Sequence, residues 1–491
     1  MADDVSGPSQ ASSGASGGKW YDGITSYQWL VLFIASLGWI FDVFEGQIFV
    51  ASMRDTIPSL LNVEPEHPDV AKWNDWAFAA FAFGGAIGGM LFGVVSDRIG
   101  RSKTMIITIL FYSLFTLIQA FVTSPEQLMV LRFLVAMGVG GEWAVASAMV
   151  AEVMPSRVRS ITSSIFHASS VFGTLLAAAA GAFVISNPAL GWRWGFAIGV
   201  LPALLTLWIR WKMKEPEQWQ KARERAAADS TQATGQFSEL FRGTNLRNSL
   251  IGVALASIGL TTFWGCHIYG KNALLARAQT AALTAEGVAL APPSTKELDD
   301  ARAAGDLSDE QWTAAVIDLQ KEYNAARGSA LTKHNVKRDE MLSMVLNTVG
   351  GGLGLVLFGW FANRLGRRGA FIFYHLIGFV VAAAMFQILI PNENIPYWVL
   401  AASLPVFGFF TLGMHAGYAV YFPELFPTRL RGSGAGFCFN GGRILQGMAF
   451  FGLGALKLAP AVKALWLSPL YLLGAAVVLA GRETRGEELP E

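Results

Sequence analysis

Asp42 and Glu45 stand three residues apart in the apolar run Phe41-Asp42-Val43-Phe44-Glu45, so on a helix the two carboxylates share one face. Arg132 opens the run Arg132-Phe133-Leu134, and Arg443 closes Asn440-Gly441-Gly442-Arg443. Glu142 follows Gly138, Gly140 and Gly141, small residues that let another helix approach closely. An ionisable group at membrane depth costs roughly 3 kcal/mol on insertion scales, so it persists where it has a partner or a task. A carboxylate that can gain and lose an arginine partner couples proton binding to conformation. Glu45 is therefore read as a proton carrier tuned by Arg132, with Asp42 second; the alternative is a permanent ion pair. Arg443 carries a planar fork that matches both oxygens of a carboxylate. It reads as a clamp for a substrate carboxylate, or as the partner of Asp42 or Glu142. Glu142 itself is either a substrate contact or a hydrogen-bonded packing acid. Gln47, Asn440 and His415 join the candidate substrate contacts. His167, His267 and His415 each fit a proton relay or a satisfied core histidine.

These side chains need helices to hold them. The 491 residues are 53% hydrophobic and 15% charged, with a mean hydropathy of +0.41. A bilayer core takes about 20 apolar residues per helix. Twelve segments meet this: 27–53, 76–95, 104–122, 128–151, 160–186, 192–211, 248–268, 341–362, 371–390, 398–421, 431–453 and 461–480. Lys and Arg gather after every even-numbered segment, whereas the loops at 123–127 and 391–397 carry neither. Positive loops face the cytoplasm, so both termini are expected there. On that frame Glu45 lies roughly 12 Å and Arg132 roughly 6 Å from the outer surface, at 1.5 Å per residue.

The expected organisation is a disordered tail (1–26), a first bundle (27–211), a charged linker (212–247), a second bundle (248–480) and a short tail (481–491). An insert at 269–340 interrupts the second bundle on the external side. Within it Trp312, Val316, Leu319 and Tyr323 share a helical face, which reads as a small hairpin or cap, or as an insertion without a role. A net charge of +1 offers nucleic acid nothing, and no Gly-x-x-x-x-Gly-Lys-Ser/Thr run is present to bind ATP. Cys266 and Cys438 form neither a disulfide framework nor a metal cluster.

Two loop motifs recur in order. Gly93-Val-Val-Ser-Asp97-Arg98-Ile-Gly100-Arg101 is echoed by Gly359-Trp-Phe-Ala-Asn363-Arg364-Leu-Gly366-Arg367. Glu152-Val-Met-Pro155-Ser-Arg157-Val-Arg159 is echoed by Glu424-Leu-Phe-Pro427-Thr-Arg429-Leu-Arg431. Parallel repeats of six helices imply two bundles that rock about a central site. The loop pattern resembles the signature of the major facilitator superfamily, and the second motif is similar to that of its sugar-porter and metabolite–proton symporter branches. Glu215-Pro216-Glu217-Gln218-Trp219 and Glu483-Thr484-Arg485-Gly486 fit the same branches. The helix 1 and helix 4 runs are similar to those of sialate and aromatic-acid proton symporters. Sugar porters carry Gln-Gln-x-x-Gly-x-Asn in helix 7; Cys266-His267-Ile-Tyr-Gly270-Lys-Asn272 keeps only Gly and Asn, which points away from a hexose. Residues 169–183 hold no Pro, unlike the drug exporters of the superfamily.

The resemblance implies an all-α membrane protein of twelve transmembrane helices in two pseudo-symmetric six-helix bundles. It implies that an acid of helix 1 and Arg132 form the proton-coupling pair, and it adds Asn272 to the substrate contacts. Asp97, Arg98, Arg101, Glu152, Arg157, Arg364, Arg367, Glu424 and Arg429 are the expected gating residues, with a weaker latch in the second copy, where Asn363 replaces the acid. The expected function is proton-coupled uptake of a small carboxylate or sugar acid by a monomer in the inner or plasma membrane. No cofactor or metal and no enzymatic activity are expected; the partners are the substrate, H+ and the lipid bilayer. A neutral sugar or polyol is the alternative cargo, and a non-transporting nutrient sensor the alternative class.

Overall fold

The computed structural model describes residues 19–65, 67–185, 187, 189–454 and 460–491, so most of the expected N-terminal tail lies outside the described residues. All regular structure among them is helical. α1 (Ser26–Leu61) starts at a capping box of Thr25 and Gln28, which satisfies backbone donors in its first turn. α2 (Pro68–Ile99), α3 (Arg101–Gln119) and α4 (Pro125–Val153) follow. α5 (Ser156–Ala168) and α6 (Ser170–Ala180) build one span that ends in a π-helical turn, and α7 (Gly191–Ala197) and α8 (Ala203–Lys212) build the next. α1 and α2 run past the apolar limits at 53 and 76 because helical hydrogen bonding continues where hydropathy falls.

α9 (Glu217–Ala228) lies between the halves in sequence. α10 (Gly243–Thr262) continues through a π turn to α11 (Ile268–Gly270). The insert is helical: α12 (Ala273–Ala285), α13 (Lys296–Ala304) and α14 (Asp309–Lys333). α15 (Val336–Ala384) holds two spans in one element. α16 (Tyr397–Gly413) and α17 (Ala416–Tyr421), then α18 (Arg431–Gly454), and finally α19 (Pro460–Leu467) with α20 (Leu470–Leu479) complete the second half.

Nine helical stretches among the described residues are long and apolar enough to cross a bilayer. One, Val336–Leu389, is 54 residues long, and Gly366 at φ 81° divides it into two crossings. The sixth crossing is interrupted at Pro202, and the eleventh carries Asn440, Arg443 and Gln446, so neither forms one uniformly apolar helix. Together they give twelve crossings in two six-helix bundles.

The loop glycines show how the repeat works. Gly100 (φ 114°) and Gly366 (φ 81°) both adopt left-handed backbone, and a Cβ there would fall 2.5 Å from the Glu215 and Glu483 carboxylates respectively. Those carboxylates accept hydrogen bonds from the next backbone amides: Arg101 (2.6 Å) for Glu215 and Arg367 (2.8 Å) for Glu483. An acid at a helix N-terminus is favoured by the free N–H groups there. Sharp turn, cap and buried arginine thus come as one unit, used twice.

Candidate functional site

Three carboxylates lie inside the first half. Asp42 and Glu45 on α1 and Glu142 on α4 are all at most 1% exposed. α3 faces them with a stripe of hydroxyls. Thr116 donates to Glu45 Oε2 (2.7 Å) and Thr108 to Glu142 Oε2 (2.6 Å), while the Tyr112 hydroxyl lies beside Asp42. The remaining oxygens, both of Asp42 and Oε1 of each glutamate, have no hydrogen-bond partner beyond that hydroxyl. Asp42 interacts electrostatically with Glu142, Glu45 and Arg443.

Arg132 reaches Glu45, but through the backbone: Nη1 donates to the Glu45 carbonyl at 3.4 Å. Its guanidinium is held between the rings of Phe49 (4.5 Å) and Phe81 (4.1 Å) rather than against a carboxylate. Glu142 faces Thr108 and Gly38, where a Cβ would be 2.7 Å from its Oε1. Its neighbours are thus α1 and α3 of its own half.

Arg443 sits mid-way along α18 in the second half, yet its Nη1 lies against Gly85 of α2, where a Cβ would be 2.4 Å away. It is half-buried, packs over the Phe439 ring at 5.2 Å and interacts with Asp42 at longer range. No described carboxylate forms an ion pair with it. Aromatic rings from both halves meet beside it: Trp143 of α4 stacks on Phe439 at 4.1 Å. Trp143 also donates to His167 Nδ1 (3.3 Å), and His167 stacks on Trp39 at 5.6 Å. Asn440 donates to the Gly436 carbonyl (3.0 Å), leaving its buried Oδ1 without a partner.

The other expected contacts spread out. His415 bonds the carbonyls of Leu412 and Gly259, and His267 bonds Thr411 (2.7 Å) between the rings of Phe263 and Phe407. Gln47 is half-buried on α1, and Asn272 stands at the start of α12 without capping it.

At the far end of the bundles the loop motifs interlock. Arg101 grips Glu152 with two donors (2.7 and 3.1 Å) and bonds Asp97 (2.8 Å) and the Thr428 carbonyl of the other half (2.8 Å). Asp97 accepts the amides of Gly432 (3.0 Å) and Ser433 (2.8 Å) and so caps α18 across the seam. Arg367 grips Glu424 in the same way (2.7 and 2.9 Å), with Asn363 only at 3.4 Å. In each Arg-x-Arg pair the second arginine is the buried one: Arg431 bonds Glu152 (2.8 Å), and Arg159 lies 3.9 Å from Glu424. Arg429 instead pairs bidentately with Glu239 (both 2.6 Å), and Arg157 donates to the Asp22 carbonyl. Arg98 reaches the Gly235 carbonyl (3.4 Å), and Arg364 covers the Trp360 ring at 3.9 Å. Sequence reading missed Arg159, Arg431 and Ser433 at the seam and the hydroxyls of α3. The latter had a signal, hydroxyl residues at 104, 108, 112 and 116, one helical face.

Residues 28–267 and 312–437 match the family of sugar (and other) transporters. The chain belongs to this family. Across 94% of the transporter it is 26% identical to the sialic acid transporter NanX of Escherichia coli, covering 92% of that protein. It is 24% identical to the niacin transporter NiaP of Acinetobacter baylyi, over 95% of this chain and 96% of that one. The solved major facilitator proton:xylose symporter XylE superposes with a TM-score of 0.65 at 17% identity, covering 94% of this chain and 98% of that chain. The fold is therefore that of the major facilitator superfamily. The protein is a multi-pass membrane transporter and not an enzyme.

Proposed function

We propose that the transporter takes up a small organic carboxylate together with a proton, by alternating access, with both termini cytoplasmic in the inner or plasma membrane. The observation that carries the cargo class is Arg443, a guanidinium between the two halves with no ion pair among the described residues and aromatic rings around it. An unpaired guanidinium in such a place is costly unless an anion joins it. Sialic acid and niacin, the cargoes in the relatives' names, are both carboxylic acids, which supports the same reading. The enclosed carboxylates supply proton sites: Glu45 is the carrier, and Arg132, which already touches its backbone, is the partner that can exchange onto its side chain. Asp97, Arg101, Glu152 and Arg431, with Arg367 and Glu424, act as the cytoplasmic gate, closed here.

The test is a thermal-shift screen of the purified full chain against niacin, sialic acid, gluconate, xylose and neutral amino acids. A ligand bound only by the folded protein adds about 2.7 kcal/mol of stability at a hundredfold excess over its dissociation constant. Stabilisation by acids, absent in Arg443→Ala, is expected. Stabilisation by xylose alone, unchanged in Arg443→Ala, overturns the carboxylate assignment.

A further inference from the structure

The carboxylates of the first half line up with one helix face. Thr108, Tyr112 and Thr116 follow each other at four-residue intervals on α3, so their side chains form a stripe with roughly 6 Å between neighbours. All three are fully buried. Each faces one carboxylate: Thr116 binds Glu45 (2.7 Å), Tyr112 lies beside Asp42, and Thr108 binds Glu142 (2.6 Å). Tyr112 is also within electrostatic reach of Glu45 and Glu142.

A column built only for packing would satisfy its acceptors, since each unmet buried polar group costs about 1–3 kcal/mol. Here Oε1 of Glu45 and of Glu142 lacks a partner, and the Tyr112 hydroxyl and the Asp42 carboxylate have none besides each other. The two threonines each fix one glutamate oxygen and leave the other free. The charges facing the column are few. Arg132 of α4 lies towards Glu45 and Arg443 of α18 towards Asp42, neither in an ion pair; α3 adds only hydroxyls, and Gly199 closes the Glu45 side.

We propose that Tyr112 is a proton relay that passes the coupled proton from Glu45 through Asp42 to Glu142, with Thr116 and Thr108 as positioning residues at the two ends. This rests on the proton-coupled reading and extends it. In the first exchange the Tyr112 O–H bond breaks as its proton joins an ionised Asp42 oxygen, and the phenol oxygen takes the proton of the Glu45 carboxyl. A second exchange of the same form moves the proton from Asp42 to an ionised Glu142. Each leaves the phenol neutral and carries one proton one carboxylate further towards the Arg101 end. Glu142 thereby belongs to the proton path and not to the cargo site.

Infrared difference spectroscopy of the purified full chain tests this with the proton as the only ligand. Carboxyl bands are followed through a pH titration and after a rapid pH jump. In the wild type, bands of buried carboxyls titrate together. In Tyr112→Phe protonation of the inner member after the jump slows by about a hundredfold, the size of one positioned proton-transfer group. Thr116→Val shifts the Glu45 band, and Thr116→Ser, which keeps the hydroxyl, restores it. A folded Tyr112→Phe variant with wild-type protonation rates overturns the relay. So does identical behaviour of Thr116→Val and Thr116→Ser, a comparison that stands even if Tyr112→Phe does not fold. A wild type without any titrating buried carboxyl instead overturns the proton-coupled reading itself.

Discussion

At Glu45 one carboxylate oxygen takes the Thr116 hydroxyl and the other takes nothing, while Arg132 waits at the backbone carbonyl, flanked by two phenylalanine rings. Cation–π contacts of this kind are worth about 2 kcal/mol when desolvated, so the guanidinium has a resting place that does not require the carboxylate. Glu45 can then change its proton without stranding Arg132. Glu45→Gln removes the titration but keeps the shape and the Thr116 bond. In proteoliposomes this variant is expected to lose accumulation driven by a pH gradient and to keep exchange of cargo across the membrane. Accumulation at the wild-type level would remove Glu45 from the coupling role. Arg443→Ala, if the guanidinium holds the cargo as proposed, is expected to abolish both.

Among the elements, the insert stands apart in its chemistry. α14 begins at a capping box of Ser308 and Gln311, and Val316 is buried while Trp312 bonds Asp299 of α13 (3.0 Å). Its far end is tied down by Glu286, which accepts from Lys333 and His334 (both 2.9 Å). Those two hydrogen bonds hold the Glu286 carboxyl below its usual value. The contribution of this tie is therefore complete above the ordinary carboxylate range and is lost as pH falls through the depressed value. Hydrogen-exchange protection over 282–286 and 330–335, taken relative to the intrinsic rate at each pH, is expected to fall on acidification, and Glu286→Gln to remove that dependence. Equal loss of protection in both proteins would assign the effect elsewhere. Mid-way along α14, Lys321 lies 4.0 Å from Glu64 beside the end of α1, so the insert of one half touches the other.

For the molecule as a whole, the loop-motif end is where the two halves close. Backbone meets backbone there: a Cβ on Gly93 would lie 2.6 Å from the Gly432 carbonyl, and one on Gly359 2.3 Å from that of Ser160. Asp97 then caps α18 across the same seam. Gly93→Val places two methyl groups where no space exists and is expected to hold this end open. Amide exchange over 428–437 should rise several-fold, because the Gly432 and Ser433 amides lose their buried acceptor, and transport should fall. Unchanged exchange would show that the gap can be absorbed elsewhere.

The twelve crossings and the two-fold repeat were legible in the sequence, because apolar runs of bilayer length and a repeated Gly-Asp/Asn-Arg-Gly-Arg pattern have few other solutions. Asp42, Glu45, Arg132, Glu142 and Arg443 stood out for a related reason, the cost of charge among apolar neighbours. Their partners did not. Spacing cannot say that Arg132 prefers two rings and a carbonyl, that Glu142 turns into its own half, or that Arg443 rests against a glycine of the other. Nor does it tell which arginine of Arg-x-Arg enters the seam. Those choices depend on how helices far apart in the chain rotate and pack, and close contacts such as Gly85 with Arg443 exist only once the two bundles have met.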